Sequence, residues 1–497
     1  MEDDRLSERP LWQALQRYHQ ENIRGFHMPG HGKGRAFLEW PCDPTLDMTE
    51  VPGLDDLHSP DGVIAQAEAR AAHAFGAEKT FFLVQGATVG LQALSLAFLR
   101  EGDEIILPRH SHRSIFGGLV LSGARPSYLP SICEEVTGLP VGTDLSALDS
   151  IGKKGTDNVK ALLALRPTYW GTVEDLEGWV KKAQAWKKPL WVDEAHGAAF
   201  SFSSALPSTA LQQGAQAVVQ GSHKTLPVLT QGAMLHLGKD GALHSKVCHK
   251  KAELVRKALT ILQTTSPSYL LLSSLDLARA RMEEEGEFLW QKTVERAAFL
   301  RHRLNRVKGI YCWGEEVKAY PTVTEWDPTK LLVVLKESYL TGYQLQKLLR
   351  EKWAIEAELA GPNYLLFLLS PFDHPENDQA LLEAFQSLHF FTEGIIERES
   401  REVVSRLFHQ GQQEGIEVLC TPREAFLASR RLVSFEEALH QISAQFICPY
   451  PPGIPLVAPG ELITPALWEV VRELRRMGVH WQGAYDGQLH KIAVVDI

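Results

Sequence analysis

Short apolar runs alternate with helix-length amphipathic stretches over the first half of the chain. Thr80-Phe81-Phe82-Leu83-Val84, Glu104-Ile105-Ile106-Leu107, Lys160 to Leu165, Leu190-Trp191-Val192 and Ala217-Val218-Val219 each read as a strand. Between and before them, Ile64 to Phe75, Val89 to Leu99 and Glu174 to Trp186 read as helices. This rhythm predicts an α/β fold with a mostly parallel sheet covered on both faces. After about Ser273 longer charged helices take over: Leu275 to Arg306, Leu340 to Glu351 and Gln379 to Phe391. Short strands intervene, such as Leu331 to Leu335 and the buried run Tyr364 to Leu369, which marks a smaller α+β region. A short helix, Leu11 to Tyr18, and a Gly/Pro/His loop, Phe26 to Gly34, come first. The expected organisation is an N-terminal segment (1–40), a large domain (41–275), a small α+β domain (276–422) and a C-terminal region (423–497).

Composition narrows the function classes. A chain of 497 residues, 44% hydrophobic and 23% charged, is long enough for two or three domains with sizeable cores. Its formal charge of -10 argues against a general nucleic-acid partner, which needs a basic face. The longest apolar run is too short to span a bilayer, so no membrane partner is expected. The acidic start Met1-Glu2-Asp3-Asp4 leads into no signal-peptide core, and a cytoplasmic location is expected. Cys42, Cys133, Cys248, Cys312, Cys420 and Cys448 show no paired spacing and read as reduced thiols.

In parallel sheets ligands sit beyond the carboxyl ends of the strands. Four such ends carry polar clusters: Gln85-Gly86-Ala87-Thr88, Pro167-Thr168-Tyr169, Asp193-Glu194-Ala195-His196 and Gly221-Ser222-His223-Lys224. A Gly-rich turn opening a helix at Gly86, Ala87 and Thr88 has the form of a phosphate cradle, although Thr88 read alone is a helix cap. A buried carboxylate such as Asp193 needs a cationic partner, and a protonated pyridine nitrogen would serve; helix capping is the plainer alternative. A buried Lys224 can lose its proton and attack an aldehyde, whereas most lysines are solvated surface residues. Ser222 could donate to a phosphate, and His112, just past Ile105-Ile106-Leu107, could stack on a flat ring. Together these residues supply what a phosphorylated pyridine aldehyde requires.

The chain resembles the ornithine/lysine/arginine decarboxylases, which are pyridoxal-phosphate (PLP) enzymes of the aspartate-aminotransferase fold. The resemblance rests on long motifs. These are Phe26-His27-Met28-Pro29-Gly30-His31, Gly53 to His58, Phe81 to Gly90, Pro108 to Ser114, Val192 to Ala198, Gln220 to Leu226, Leu262 to Tyr269, and Tyr450 to Pro455 with Pro459-Gly460-Glu461. It implies that Lys224 carries the cofactor as a Schiff base and that Asp193 partners the pyridine nitrogen. His112 would stack on the ring, Gly86, Ala87, Thr88 and Ser222 would hold the phosphate, and His196 and His223 would lie beside the cofactor. His223 or Lys224 would return the proton. Glu461, with His27 and Thr265, would serve the substrate, a basic amino acid. Arginine is expected first, with lysine or ornithine as alternatives. The family likeness further implies a homodimer or higher homo-oligomer with shared active sites and a place in polyamine biosynthesis. Gln85 departs from the commoner Asn, and Gly32-Lys33-Gly34 from the commoner loop. The resemblance is to the shorter, biosynthetic-type members, and the long N-terminal domain of the large inducible ones is not expected.

Other readings are weaker. Asp193-Glu194-Ala195-His196 resembles a helicase acidic box, but the required phosphate loop is missing. His27 and His31 have an i, i+4 spacing, yet Pro29-Gly30 between them forbids a helix, and no metal site is expected. An aminotransferase or another lyase on the same fold would share the cofactor residues. A degenerate regulatory subunit would not need both Lys224 and Asp193.

Overall fold

The computed structural model describes residues 24–26, 50, 54–239, 245–336, 338, 340–388 and 416–496. The segment expected as helix over 11–18, and His27 and His31, lie outside the described residues.

Helix α1 (Val63–Phe75) buries Ile64, Ala71, Ala72 and Phe75 and stops at Gly76, whose φ of +73° suits glycine. Seven strands form the central sheet: β1 (Lys79–Leu83), β2 (Glu104–Pro108), β3 (Arg125–Leu129), β4 (Val159–Leu165), β5 (Leu190–Asp193), β6 (Ala217–Gln220) and β7 (Ala233–Leu237). Their spatial order is β1-β7-β6-β5-β4-β2-β3. Strand β7 runs antiparallel to both neighbours, and every other adjacent pair is parallel. The mostly parallel sheet expected from the apolar runs is therefore present.

Alternate residues of each strand feed opposite core layers, as the two-residue period demands. Phe81, Leu83, Ile105, Leu107, Leu163, Trp191, Val219 and Leu235 pack on one face, against helices α2 (Gly86–Phe98) and α3 (Arg113–Ser122). Ile106, Leu162, Ala164, Val192 and Val218 face the other side with Trp179, while Phe82 and Met234 meet the long helix α4 (Tyr269–Leu304).

One expected boundary shifts. Glu174 belongs to a short strand, Thr172–Glu174, that pairs with Val323–Trp326, and the helix begins at Glu177. Asp175 explains the break, because its carboxylate accepts from the Glu177 N–H at 3.0 Å and turns the chain there.

A second sheet contains β8 (Ile310–Cys312), β9 (Lys330–Leu335), β10 (Leu359–Ala360) and β11 (Tyr364–Leu368), all antiparallel, in the order β8-β9-β11-β10. It packs with Ala297, Leu300 and Leu304 of α4, and Arg24–Phe26 runs parallel to Ile355–Ala357 beside it. The last unit pairs Arg430–Ser434 with Lys491–Val495 around a core of its own and is tied to α3 by Arg423, which donates to Val120 O at 2.7 Å. Cys133, Cys312, Cys420 and Cys448 are free thiols. Among the described residues no helix is long and apolar enough to cross a membrane, and no His/Cys/Asp/Glu group could hold a metal.

Candidate active site

The carboxyl ends of β5 and β6 are locked together. Gly221 N–H donates to Ala195 O at 3.1 Å, and a side chain at Gly221 would come within 2.9 Å of that oxygen and 3.2 Å of Lys224 Cδ. Only glycine allows the approach. Asp193 ends β5 with 4% of its surface exposed and accepts from Ala195 N–H at 3.2 Å. Burial pushes its carboxyl above the ordinary range, while Lys224 and the Ala195 amide pull it back. Lys224 stands on the short helix Ser222–Thr225. Burial lowers the basicity of its amine, opposed by the negative fields of Asp193 and Glu358.

Lys224 Nζ lies 3.0 Å from His196 Nε2. Burial and the Lys224 charge hold His196 well below its ordinary pKa, so a neutral ring faces the amine. The His196 ring meets Tyr169 edge-on at 4.5 Å. His112 caps α3, its Nδ1 accepting from Ser114 N–H at 3.2 Å, and burial with the Lys224 charge pushes it down to about 3. His223 Nδ1 lies 3.0 Å from Gly232 O. A carbonyl only accepts, so this nitrogen carries the proton.

The turn Gln231-Gly232 joins the two phosphate candidates. Gly86 N–H donates to Gln231 O at 2.8 Å and His223 N–H donates to Gly232 O at 3.0 Å. Gly86 has φ +77°, and a Cβ placed there would meet nothing within 4 Å. Behind it the first amides of α2, including those of Ala87 and Thr88, have no intrahelical acceptor, and Thr88 is exposed. Ser222 Oγ is fully buried and finds no hydrogen-bond partner among the described residues, and the same holds for His196 Nδ1. Open amides at a helix N-terminus, an unsatisfied hydroxyl, a buried carboxylate and a weakly basic lysine fit a phosphorylated pyridine aldehyde.

Of the three expected substrate residues, Glu461 and Thr265 lie among the described residues. Glu461 is 1% exposed, and its oxygens accept from Tyr128 Oη at 2.5 Å, Arg109 Nη2 at 3.2 Å and Ala458 N–H at 2.8 Å. These three contacts make it a strut between the C-terminal region and the large domain. Thr265 is exposed on the loop between the helix Ser245–Leu262 and α4, and His27 lies outside the described residues.

The structure adds residues that carried no expected role. Lys330, at the start of β9, is buried and donates to Tyr169 O at 2.9 Å; burial and Lys224 lower it to about 8, against the pull of Asp327 and Glu358. Tyr169 donates to Glu358. Behind the site, Glu194 accepts from Gln220 Nε2 at 2.7 Å, Gln220 Oε1 meets His236 Nε2 at 3.1 Å, and His236 Nδ1 meets Thr80 Oγ1 at 2.8 Å. Gly453 covers His112: its carbonyl accepts from Arg113 N–H at 3.0 Å.

Residues 9–377 match the family described as Orn/Lys/Arg decarboxylase, major domain, and residues 403–484 match its C-terminal domain. The chain belongs to the Orn/Lys/Arg decarboxylase family. It is a PLP-dependent decarboxylase. An arginine decarboxylase of Bacillus subtilis is 36% identical over 98% of both chains, and one of Bacillus anthracis is 34% identical over 98% of this chain and 97% of its own. Among solved structures, the constitutive lysine decarboxylase of Escherichia coli superimposes with a TM-score of 0.77 at 21% identity, covering 98% of this chain and 82% of that one. The Francisella novicida lysine decarboxylase gives 0.79 at 19% identity over 94% and 78%. These two likenesses carry the fold alone.

Proposed function

We propose that this decarboxylase converts L-arginine to agmatine and CO2, feeding polyamine synthesis in the cytoplasm. The observation that carries the chemistry is Lys224, an amine of lowered basicity set 3.0 Å from a neutral histidine and in the field of buried Asp193. Near-full-length likeness to arginine decarboxylases supports the substrate.

Bound PLP supplies an electron sink for the pair released when the Cα–carboxylate bond breaks. Lys224 would hold the cofactor through Nζ, and burial, which lowers the basicity of its amine, favours the free-amine form that attacks an aldehyde. Asp193 would supply the buried negative charge that favours a protonated ring nitrogen. His112 would offer a neutral imidazole to the cofactor, and Ser222 with the α2 amides would bind its phosphate. His196 Nε2 takes or returns a proton at Lys224 Nζ. His223 and Lys224, adjacent on one turn, are the proton carriers for Cα.

The exposed loop Thr264–Ser266, which contains Thr265, is tethered close to the phosphate end. Gln263 beside it is buried and accepts from Val84 N–H at 2.8 Å, and the Thr264 carbonyl lies 2.8 Å from His58 Nε2. In a homodimer or larger homo-oligomer with shared sites, this loop would face the neighbouring subunit.

The test is incubation of PLP-loaded protein with arginine, lysine and ornithine, with CO2 and amine measured. Arginine should give the highest kcat/KM; a preference for lysine, or no CO2 from any of the three, would refute the proposal. Lys224→Ala should lose both turnover and the visible absorbance of the lysine-bound cofactor, and a yellow, active variant would remove Lys224 from its role.

A further inference from the structure

Glu358 is a carboxylate that the chemistry above leaves unused. It stands between Ile355–Ala357 and β10 on the small domain and is only half-buried. Tyr169 donates a hydrogen bond to it from the large domain. The Tyr169 ring is the wall shared with the reacting end of the site: Lys224 Nζ lies 5.9 Å from its centroid and the His196 ring 4.5 Å. Lys330 fixes that wall from behind through the Tyr169 carbonyl. Burial, the Glu358 charge and, least of these, Tyr450 hold the Tyr169 phenol well above its ordinary range, so it stays a donor to Glu358. The Glu358 carboxylate therefore lies across one aromatic ring from the amine where the substrate's α-nitrogen must arrive.

The other carboxylates do not suit a distal cation. Asp193 is buried beside Lys224, at the reacting end, and Glu461 is held by Arg109 and Tyr128. The negative field of Glu358 reaches the reacting end, where it supports the charge on Lys224 and Lys330. A planar guanidinium matches this environment better than an ammonium, because it offers a fork of donors to a carboxylate and a flat face to a phenol ring.

We propose that Glu358, held by Tyr169, receives the distal guanidinium of the substrate and sets the preference for arginine over lysine. This rests on the reading of the protein as a basic amino acid decarboxylase.

The experiment compares PLP-loaded wild type, Glu358→Gln and Tyr169→Phe. Steady-state rates are measured with arginine and lysine, and the change in visible absorbance is followed on titration with arginine and with citrulline, its neutral analogue. Glu358→Gln should keep the visible spectrum and melting temperature of wild type. Its KM for arginine should rise roughly 10- to 100-fold with kcat much less affected, as loss of a charge-assisted bond to the ground and transition states alike requires. Its discrimination between arginine and citrulline should narrow by a similar factor. Tyr169→Phe should raise KM less, because it only frees the carboxylate. If folded, PLP-loaded Glu358→Gln keeps the wild-type KM and the wild-type arginine-to-citrulline ratio, the assignment of Glu358 is wrong. If the wild type releases CO2 from none of the three basic amino acids, the functional reading falls instead.

Discussion

Gly453→Ala tests whether the C-terminal loop controls the ring face of the site. At Gly453, with φ +94°, a Cβ would approach His112 Nε2 to 2.8 Å and Cδ2 to 3.2 Å. An L-residue in such a conformation costs about 1–2 kcal/mol. Relief on the His112 side means leaving its rotamer, about 0.5–1.5 kcal/mol, and weakening its cap on α3, about 1 kcal/mol. Relief on the loop side means stretching the bond from Arg113 N–H to Gly453 O, again about 1 kcal/mol. The total is about 2–4 kcal/mol, divided between folding and cofactor binding. Chemical denaturation of the apoprotein reads the first share, and absorbance titration with PLP reads the second. Because His112 is the residue pressed, PLP affinity should fall about 10-fold or more, at about 1.4 kcal/mol per decade. Wild-type stability together with wild-type PLP affinity would refute the idea that this loop sits against His112.

Two further outcomes follow from buried groups outside the cofactor. Glu461→Gln should destabilise the fold by about 3 kcal/mol or more, because it leaves Arg109 charged and buried without its counter-charge; calorimetry checks this, and the arginine-to-lysine preference should not move. Stability should also respond to pH. His110 and His236 are pushed down to about 3 by burial, so below pH 6.5 the unfolded chain binds protons that the native state refuses, and each histidine costs up to about 1.4 kcal/mol per pH unit as pH falls. Glu174 and Glu194, raised to about 7 by burial, bind protons in the native state between pH 4.5 and 7 and oppose the histidines there. These four groups nearly cancel between about pH 5 and 6, so the rise in denaturation free energy with pH there falls to His112 and His196, likewise held low by burial, and a flat or falling profile from pH 5 to 6 would contradict the burial of those two rings.

Much of the sheet and the reacting end of the site was legible in the sequence, because both are local. Each of β1, β2, β4, β5 and β6 is a short apolar run, and Asp193 and Lys224 follow directly on such runs. Strand β3 escaped because Arg-Pro-Ser-Tyr-Leu carries only two apolar side chains besides its proline, and β7 because its five residues include the buried His236. Tyr169 was visible as part of a strand-end cluster, yet its role was not, since Lys330 lies 161 residues away and Glu358 189 residues away. Contacts at that separation leave no periodic trace. The same holds for the contacts of Glu461: nothing near it in the chain announces that Arg109 and Tyr128, 352 and 333 residues distant, will bind it.

The one antiparallel strand described in the central sheet, β7, explains how the two proposed cofactor anchors come to share one support. Parallel strands all present their carboxyl ends at the same edge, so β1 delivers Gly86 there and β6 delivers Ser222 and Lys224. These strands are not neighbours; β7 lies between them. Because β7 runs the other way, it begins at that edge, and the residues entering it, Gln231 and Gly232, sit between the phosphate cradle and the lysine. Their carbonyls accept from Gly86 and His223 and fix the spacing of the two anchors. A parallel strand in the same place would end there instead of beginning, and its entering turn would lie at the opposite edge. Gly232 is required as well, since a Cβ would stand 2.2 Å from Val228 Cγ1 and push this turn out of line.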